Sequence, residues 1–252
     1  MNKVLARLEF LNASFREEIA SAYAECVCVT NINAWYRRLD ELSVAIQSGT
    51  GTFRQIEDHV FELKIMRYLK MLSDDAEFVY EPPGIDPNGR NCDLSVIRGE
   101  RRFLIEIKSF HPEPKSREIP RKYVAQNNIL CMDERTYHNY RATRGHLMDV
   151  TKQTEEKFAN YHPGSKTALA VPDGFYLHRE DLRDFVFLYR RGRPRDDDPL
   201  GPMTVHNLRR GFRGSVDEFW AFPFEQLSFH LEGARLPSVI GPLKRDDRVI
   251  KV

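Results

Sequence analysis

Residues Asn91 to Phe110, NCDLSVIRGERRFLIEIKSF, put three ionisable side chains into two runs that otherwise read as buried strands. Leu94, Val96 and Ile97 follow Asp93, and Phe103, Leu104, Ile105 and Ile107 surround Glu106 and Lys108. Such β-branched and aromatic runs, separated by Gly99, have strand character, and a charge inside them costs free energy unless something pairs it. Side chains alternate faces along a strand, so Glu106 and Lys108 point one way and Phe103, Ile105 and Ile107 the other. Asp93 and Ser95 likewise share a face.

The turn sharpens this. Arg98-Gly99-Glu100-Arg101 can close a two-residue hairpin with glycine at the first central position, as a type II′ turn prefers. Pairing Arg98 with Arg101 sets Asp93 directly across from Glu106 and Asn91 across from Lys108. Two carboxylates and one ammonium then converge on one patch, and the like charges repel. A divalent cation between them is the simplest remedy, because hard oxygen ligands suit magnesium and the ion's charge reverses the local penalty.

The chain has 252 residues, enough for a sizeable core in one large domain or in one domain with an appendage. Hydrophobic content of 41% with 30% charged residues fits a globular protein and argues against disorder. No apolar run approaches the length of a membrane helix, and the mixed opening with Glu9, Arg16, Glu17 and Glu18 does not resemble a signal peptide, so the expected address is the cytoplasm. Cys26, Cys28, Cys92 and Cys131 form one C-x-C pair without a nearby histidine to complete a zinc set, and they read as reduced structural thiols.

The net charge of +1 announces no polyanion partner, but its distribution is uneven. Acidic residues prevail over residues 1–82, basic ones over 101–148, and arginines over 183–214. Basic segments beside the charged patch can supply phosphate contacts without a high overall pI; the bland alternative is that they are solvated loops.

Residues 1–52 read as an N-terminal helical accessory region. Val4, Leu5, Leu8, Leu11, Phe15 and Ile19 recur at helical spacing from Val4 to about Ala24, and Trp35, Tyr36, Leu39, Leu42 and Ile46 do so from Ile32 to Gln47. Bracing the core is their first expected task; capping a substrate or dimerising are others. A long helix follows from Phe53 to Leu72 with Glu62 on its flank, then a strand from Glu77 to Glu81 stopped by Pro82-Pro83-Gly84. Asp86 in GIDPNG reads as a turn residue.

Beyond Lys108, residues 110–146 read as a basic insertion. Lys115, Arg117, Arg121, Lys122, Tyr123, Arg141 and Arg144 interleave cations with rings and suit a tract that grips phosphates and stacks on bases. Leu147 to Tyr161 reads as helix, Thr167 to Pro172 as a covered strand, His178 to Arg191 as helix, Arg190 to Gly201 as a mobile loop, and Val216 to Phe224 as an edge strand. No phosphate loop or Gly-rich dinucleotide fingerprint is present in the sequence.

The order helix, strand, strand, strand, helix, strand, with D-x12-E-x-K across the hairpin, resembles the PD-(D/E)XK nuclease superfamily over about residues 53–172. The resemblance implies an α/β fold with a restriction-endonuclease-like core (αβββαβ, mixed central sheet flanked by helices) spanning residues 53–252 with its insertion and a C-terminal extension. It implies that Asp93 and Glu106 bind Mg²⁺ or Mn²⁺ with the backbone carbonyl of Ile107, that Lys108 orients the attacking water, and that Glu62 reaches the metal directly or through water. Family members often carry a Gln or Lys on the helix after the hairpin, a position matched by Gln153 or Lys152, the latter also a candidate nucleic-acid contact. Two departures stand out. The usual proline before the aspartate is Cys92, and position 157, tyrosine in RecB-like members, is Lys157.

The expected function is therefore metal-dependent endonuclease action on phosphodiester bonds, most naturally in DNA. Double-strand cutting normally needs two such sites, so a homodimer or a partner subunit is expected, with the N-terminal helices as candidate interface. Two other readings compete: a nucleic-acid-binding or assembly module that keeps the fold without cleaving, and a structural α/β protein with an internal ion pair. Retention of three buried charges argues against the first of these.

Overall fold

Alternation along the hairpin sends Ile105 and Ile107 to one side and Leu104 and Glu106 to the other, so a sheet built on it needs apolar cover on both faces. The computed structural model describes residues 1–9, 11, 13–109, 134–173, 179–196, 212–223 and 238–240, and helices supply that cover on each side. In chain order the elements are α1 Asn2–Arg7, α2 Ala13–Glu25, α3 Ile32–Gln47, α4 Phe53–Leu72, β1 Glu77–Tyr80, β2 Leu94–Arg98, β3 Arg101–Ile107, α5 Glu134–Phe158, β4 Lys166–Asp173, α6 Arg179–Arg191, β5 Glu218–Pro223 and β6 Ser238–Ile240. The protein is α/β, with one mixed sheet whose strands lie in sequence order from β1 to β6. β1, β2 and β3 form an antiparallel meander, β4 and β5 run parallel to β3, and β6 returns antiparallel beside β5.

The hairpin has the register expected of its two-residue turn, from Arg98 opposite Arg101 to Leu94 opposite Ile105. Gly99 takes φ 59° and Glu100 does not share a positive φ, as a type II′ turn requires.

On one face, α1 to α4 bury Leu8, Ile19, Trp35, Leu39, Ile56 and Leu63 in a single core with Leu94, Ile105 and Ile107. Each such side chain contributes about 1.5–3 kcal/mol relative to exposure. Trp35 stacks on His59 of α4 at 4.7 Å and 8°, and its indole N–H donates to the His59 carbonyl at 3.0 Å. Residues 1–52 thus brace the same core as α4 and the sheet, the first of the tasks expected for them. Thr30, between α2 and α3, hydrogen-bonds to Phe78 and Tyr80 and so covers the free edge of β1. On the opposite face, Leu147, Val150 and Phe158 of α5 pack with Leu182, Phe185 and Val186 of α6 over Leu104, Leu169 and Phe219.

The structure corrects four details of the sequence reading. The helix expected over Val4 to Ala24 is two, because a turn in which the Leu11 N–H donates to the Leu8 carbonyl lets both leucines be buried. The helix expected from Leu147 begins at Glu134: Tyr137, Tyr140, Arg141 and Arg144 stand at helical spacing, and the last part of the supposed insertion, residues 134–146, is regular. Residues 110–133, which carry Lys115, Arg117, Arg121, Lys122 and Tyr123, lie outside the described residues. The Arg190–Gly201 tract expected as a loop begins inside α6, and its end at 197–201 lies outside the description. β5 is an interior strand and not an edge, since Phe219 is buried in one core and Phe222 in the other while β6 covers its far side. Among the described residues no helix is long and apolar enough to cross a membrane.

Candidate active site

The β2–β3 ladder ends at Leu94 and Ile105, which leaves Asp93 one residue before the strand and across from Glu106. Its side chain turns over the end of β3, where Oδ2 accepts the Ile107 backbone N–H at 2.7 Å. Its own carbonyl accepts the Glu81 N–H at 2.9 Å. Glu106 is fully buried. The Nζ of Lys108 and the Nζ of Lys157 each lie 2.6 Å from its Oε1, and Lys157 Nζ is also 3.5 Å from Asp93 Oδ1. The two carboxylates expected from the register therefore meet two ammonium groups, one on β3's continuation and one on α5.

These contacts set the electrostatics. Burial pushes the Asp93 carboxyl well above the usual carboxylate range, and the negative charges of Glu106 and Glu62 add to the rise against Lys157 and Lys108. Burial alone disfavours a charged Lys157, but Asp93 and Glu106 outweigh it and hold the ammonium protonated more firmly than in water. Burial also pushes the Cys92 thiol up to about 12, which leaves it neither a nucleophile nor a ready metal ligand at neutral pH.

Neighbouring elements hold each charged group in place. The Lys108 N–H donates to the Ala170 carbonyl at 2.9 Å, and Ser109 bonds to Asp58 of α4, so both ends of the lysine's backbone are fixed. The orientation of α5 is set by Glu155, buried two residues before Lys157. Its Oε1 accepts from the Tyr189 hydroxyl at 2.7 Å and the Ser215 N–H at 3.1 Å, and its Oε2 accepts from the Arg213 N–H at 2.8 Å. Just after α5, the Tyr161 hydroxyl donates to the Pro82 carbonyl and accepts from the Cys92 N–H, at 2.7 and 2.9 Å. Asn160 clasps the loop between them, accepting the Asp86 N–H at 2.8 Å and the Ile85 N–H on its backbone carbonyl at 2.8 Å. One end of α5 therefore carries Lys157 and also anchors the loop that delivers Asp93.

The loop approaches Asn160 so closely that a Cβ on Gly84 would run into both its side-chain amide and its backbone carbonyl. Gly84→Ala is expected to lower stability by about 1–3 kcal/mol, the usual cost of overpacking. Urea unfolding checks this, and a variant as stable as the parent would show the clasp to be slack.

Of the other residues singled out from the sequence, Glu62 turns toward this cluster. Its Oε2 accepts the Tyr80 hydroxyl at 2.8 Å and lies 3.3 Å from His59 Nδ1, while His59 Nε2 is 2.8 Å from the Trp35 carbonyl. Burial, then the charge of Glu62, keeps Tyr80 protonated far above neutral pH. Gln153 is not brought to the carboxylates: it is solvent-exposed one helical turn before Lys157. Lys152 sits over the Phe212 ring at 5.7 Å, on the side of α5 facing the β5 approach. Arg144 is buried at 3% exposure, which corrects its reading as a solvent-facing phosphate contact. Of Arg141 only the backbone, in α5, is described.

The donor set suits a hard divalent ion. Among the described residues Glu106 Oε2 is buried and accepts no hydrogen bond, Asp93 Oδ1 has the Lys157 ammonium at 3.5 Å, and Mg²⁺ is commonly held by one or two carboxylates with water completing the shell. Among the described residues no three His, Cys, Asp or Glu side chains converge as a ligand group; Glu62 is held by Tyr80 and His59, close enough for its charge to raise the Asp93 carboxyl. The residue that sequence reasoning missed is Lys157. Its signal was the one-turn spacing from Gln153, which places it on the same stripe of α5 but deeper in the fold. Compared with family models, with curated proteins and with solved structures, the chain matches none.

Proposed function

We propose that the protein is a divalent-metal-dependent nuclease of the PD-(D/E)XK kind that hydrolyses phosphodiester bonds in DNA. The observation that carries this reading is the convergence of Asp93 and Glu106 from adjacent strands onto a buried patch shared with the Lys108 and Lys157 ammonium groups. A purely structural pair has little reason to gather four charges around the fully buried Glu106, with Asp93, Lys108 and Lys157 largely covered, since ion pairs in the interior rarely improve on apolar packing.

Asp93 and Glu106, with the Ile107 carbonyl, would hold Mg²⁺ or Mn²⁺, which supplies a more acidic bound water and neutralises charge on the scissile phosphate. Lys108, held by Glu106 and 28% exposed, presents its ammonium where a water and a phosphate can reach it. In the reaction the water would give up a proton to solvent as its oxygen bonds to phosphorus, the bond to the leaving sugar oxygen would break, and that oxygen would take up a proton from solvent. Negative charge on the phosphoryl oxygens grows on the way, and a fixed positive charge beside them lowers the barrier.

Plasmid, linear and single-stranded DNA incubated with the purified protein and Mg²⁺ or Mn²⁺ test the reading. Cleavage is expected with either ion and is expected to stop on chelation with EDTA. Lys108→Ala is expected to slow it by at least about a hundredfold; a Lys108→Ala protein that cuts as well as the parent would remove Lys108 from the site.

A further inference from the structure

Among the described residues Lys157 contacts both carboxylates, whereas Lys108 contacts Glu106 and not Asp93. The geometry points to Lys157 as an internal counter-cation that a divalent ion must displace from between Asp93 and Glu106, an inference that rests on the metal-dependent reading above. Asp93 and Glu106 carry two negative charges and the lysines two positive ones, so the four groups neutralise one another. An ion entering between the carboxylates takes the oxygens that Lys157 holds and repels its ammonium at close range. The helix that carries it is fixed by Glu155 on one side and by the Asn160 and Tyr161 contacts at the other, so the ammonium moves by side-chain rotation, and its 16% exposure gives it an outlet to solvent. Lys157 therefore weakens resting metal affinity and frees a second cation, beside Lys108, once the ion is in place.

The test measures Mn²⁺ binding by calorimetry for the parent, Lys157→Met and Lys108→Met, with DNA cleavage assayed separately. Lys157→Met is expected to bind Mn²⁺ at least about tenfold more tightly than the parent, and Lys108→Met to gain less, because its ammonium touches one carboxylate and is the more exposed. Equal or weaker binding by Lys157→Met overturns the inference while leaving a metal-dependent nuclease intact. Tighter binding by Lys157→Met in a protein whose parent leaves DNA uncut supports the inference and overturns the nuclease. Absence of Mn²⁺ binding by all three proteins overturns both.

Should Lys157→Met fail to fold, the parent decides. Acylation of lysine amines, read by peptide mass spectrometry, is expected to increase severalfold at Lys157 on adding saturating Mn²⁺. Lys166, 61% exposed and away from the carboxylates, serves as the unchanged reference. A Lys157 that stays as protected with Mn²⁺ as without it overturns the inference.

Discussion

Asp93→Asn is expected to abolish the proposed DNA cleavage and at the same time to make the metal-free protein more stable. The loss follows from removing one of two carboxylates on the proposed ion and is expected to be about a thousandfold or more. The gain follows from the cost of keeping Asp93 ionised: burial first, and then Glu106 and Glu62, hold its carboxyl well above the usual range. A carboxyl raised in the folded state binds its proton more tightly there than in the unfolded chain. Stability is therefore undiminished below the ordinary aspartate value of about 3.9 and falls as pH rises from there through the folded-state value. Asparagine carries no such penalty, and its Oδ1 can still accept the Ile107 N–H. Lys157 keeps Glu106 at 2.6 Å as its partner. A gain of about 0.5–2 kcal/mol near neutral pH is the usual scale for relieving a destabilised functional position. Urea unfolding in EDTA at pH 5 and pH 8 reads this directly. The parent should lose more stability than the variant between the two, and a variant that is no more stable at pH 8 would contradict the assigned burial cost.

The parts of this site that could be read from the sequence are those governed by local rules. Strand alternation and a two-residue turn with glycine at its first position determine a hairpin register without reference to the rest of the chain, and the pairs from Arg98–Arg101 to Leu94–Ile105 follow it. Asp93 and Glu106 then become neighbours as a matter of arithmetic. What stayed hidden depends on contacts between distant segments. The rotation of α5 is set by Glu155 gripping Tyr189, Arg213 and Ser215; the one-turn spacing puts Gln153 and Lys157 on one stripe, but nothing within the helix itself reveals which of the two is drawn into the fold. Arg144 belongs to the same class: a cation in a basic tract looks solvent-facing until tertiary packing buries it. Tyr137, Tyr140 and Arg141 were legible by spacing, but the proline-rich stretch before them favoured a loop over a helix that starts at Glu134. The interior position of β5 rests on β6, three residues in a tail whose composition carries little strand signal.

Glu106→Ala is expected to act on stability in the opposite sense from Asp93→Asn. Glu106 is fully buried and its Oε1 is the shared partner of two ammonium groups that are only 28% and 16% exposed. Removing it leaves Lys108 without its carboxylate partner and leaves Lys157 with Asp93 alone at 3.5 Å. Breaking a buried pair by deleting one partner costs about 3–5 kcal/mol, because the remaining charge has lost its compensation. The partial exposure of both lysines lets their ends turn toward water and argues for about 3 kcal/mol, still a large share of the 5–15 kcal/mol that holds a typical domain together. Uncompensated ammonium, and not a cavity, is the cause, so adding Lys157→Met to Glu106→Leu is expected to restore part of the loss. The two changes should be non-additive by about 1–2 kcal/mol in a double-mutant cycle measured by urea unfolding. A cavity mechanism predicts additivity instead. A Glu106→Ala protein within about 1 kcal/mol of the parent would mean that the lysines are compensated by solvent, and would remove the coupled four-charge cluster on which the nuclease reading stands.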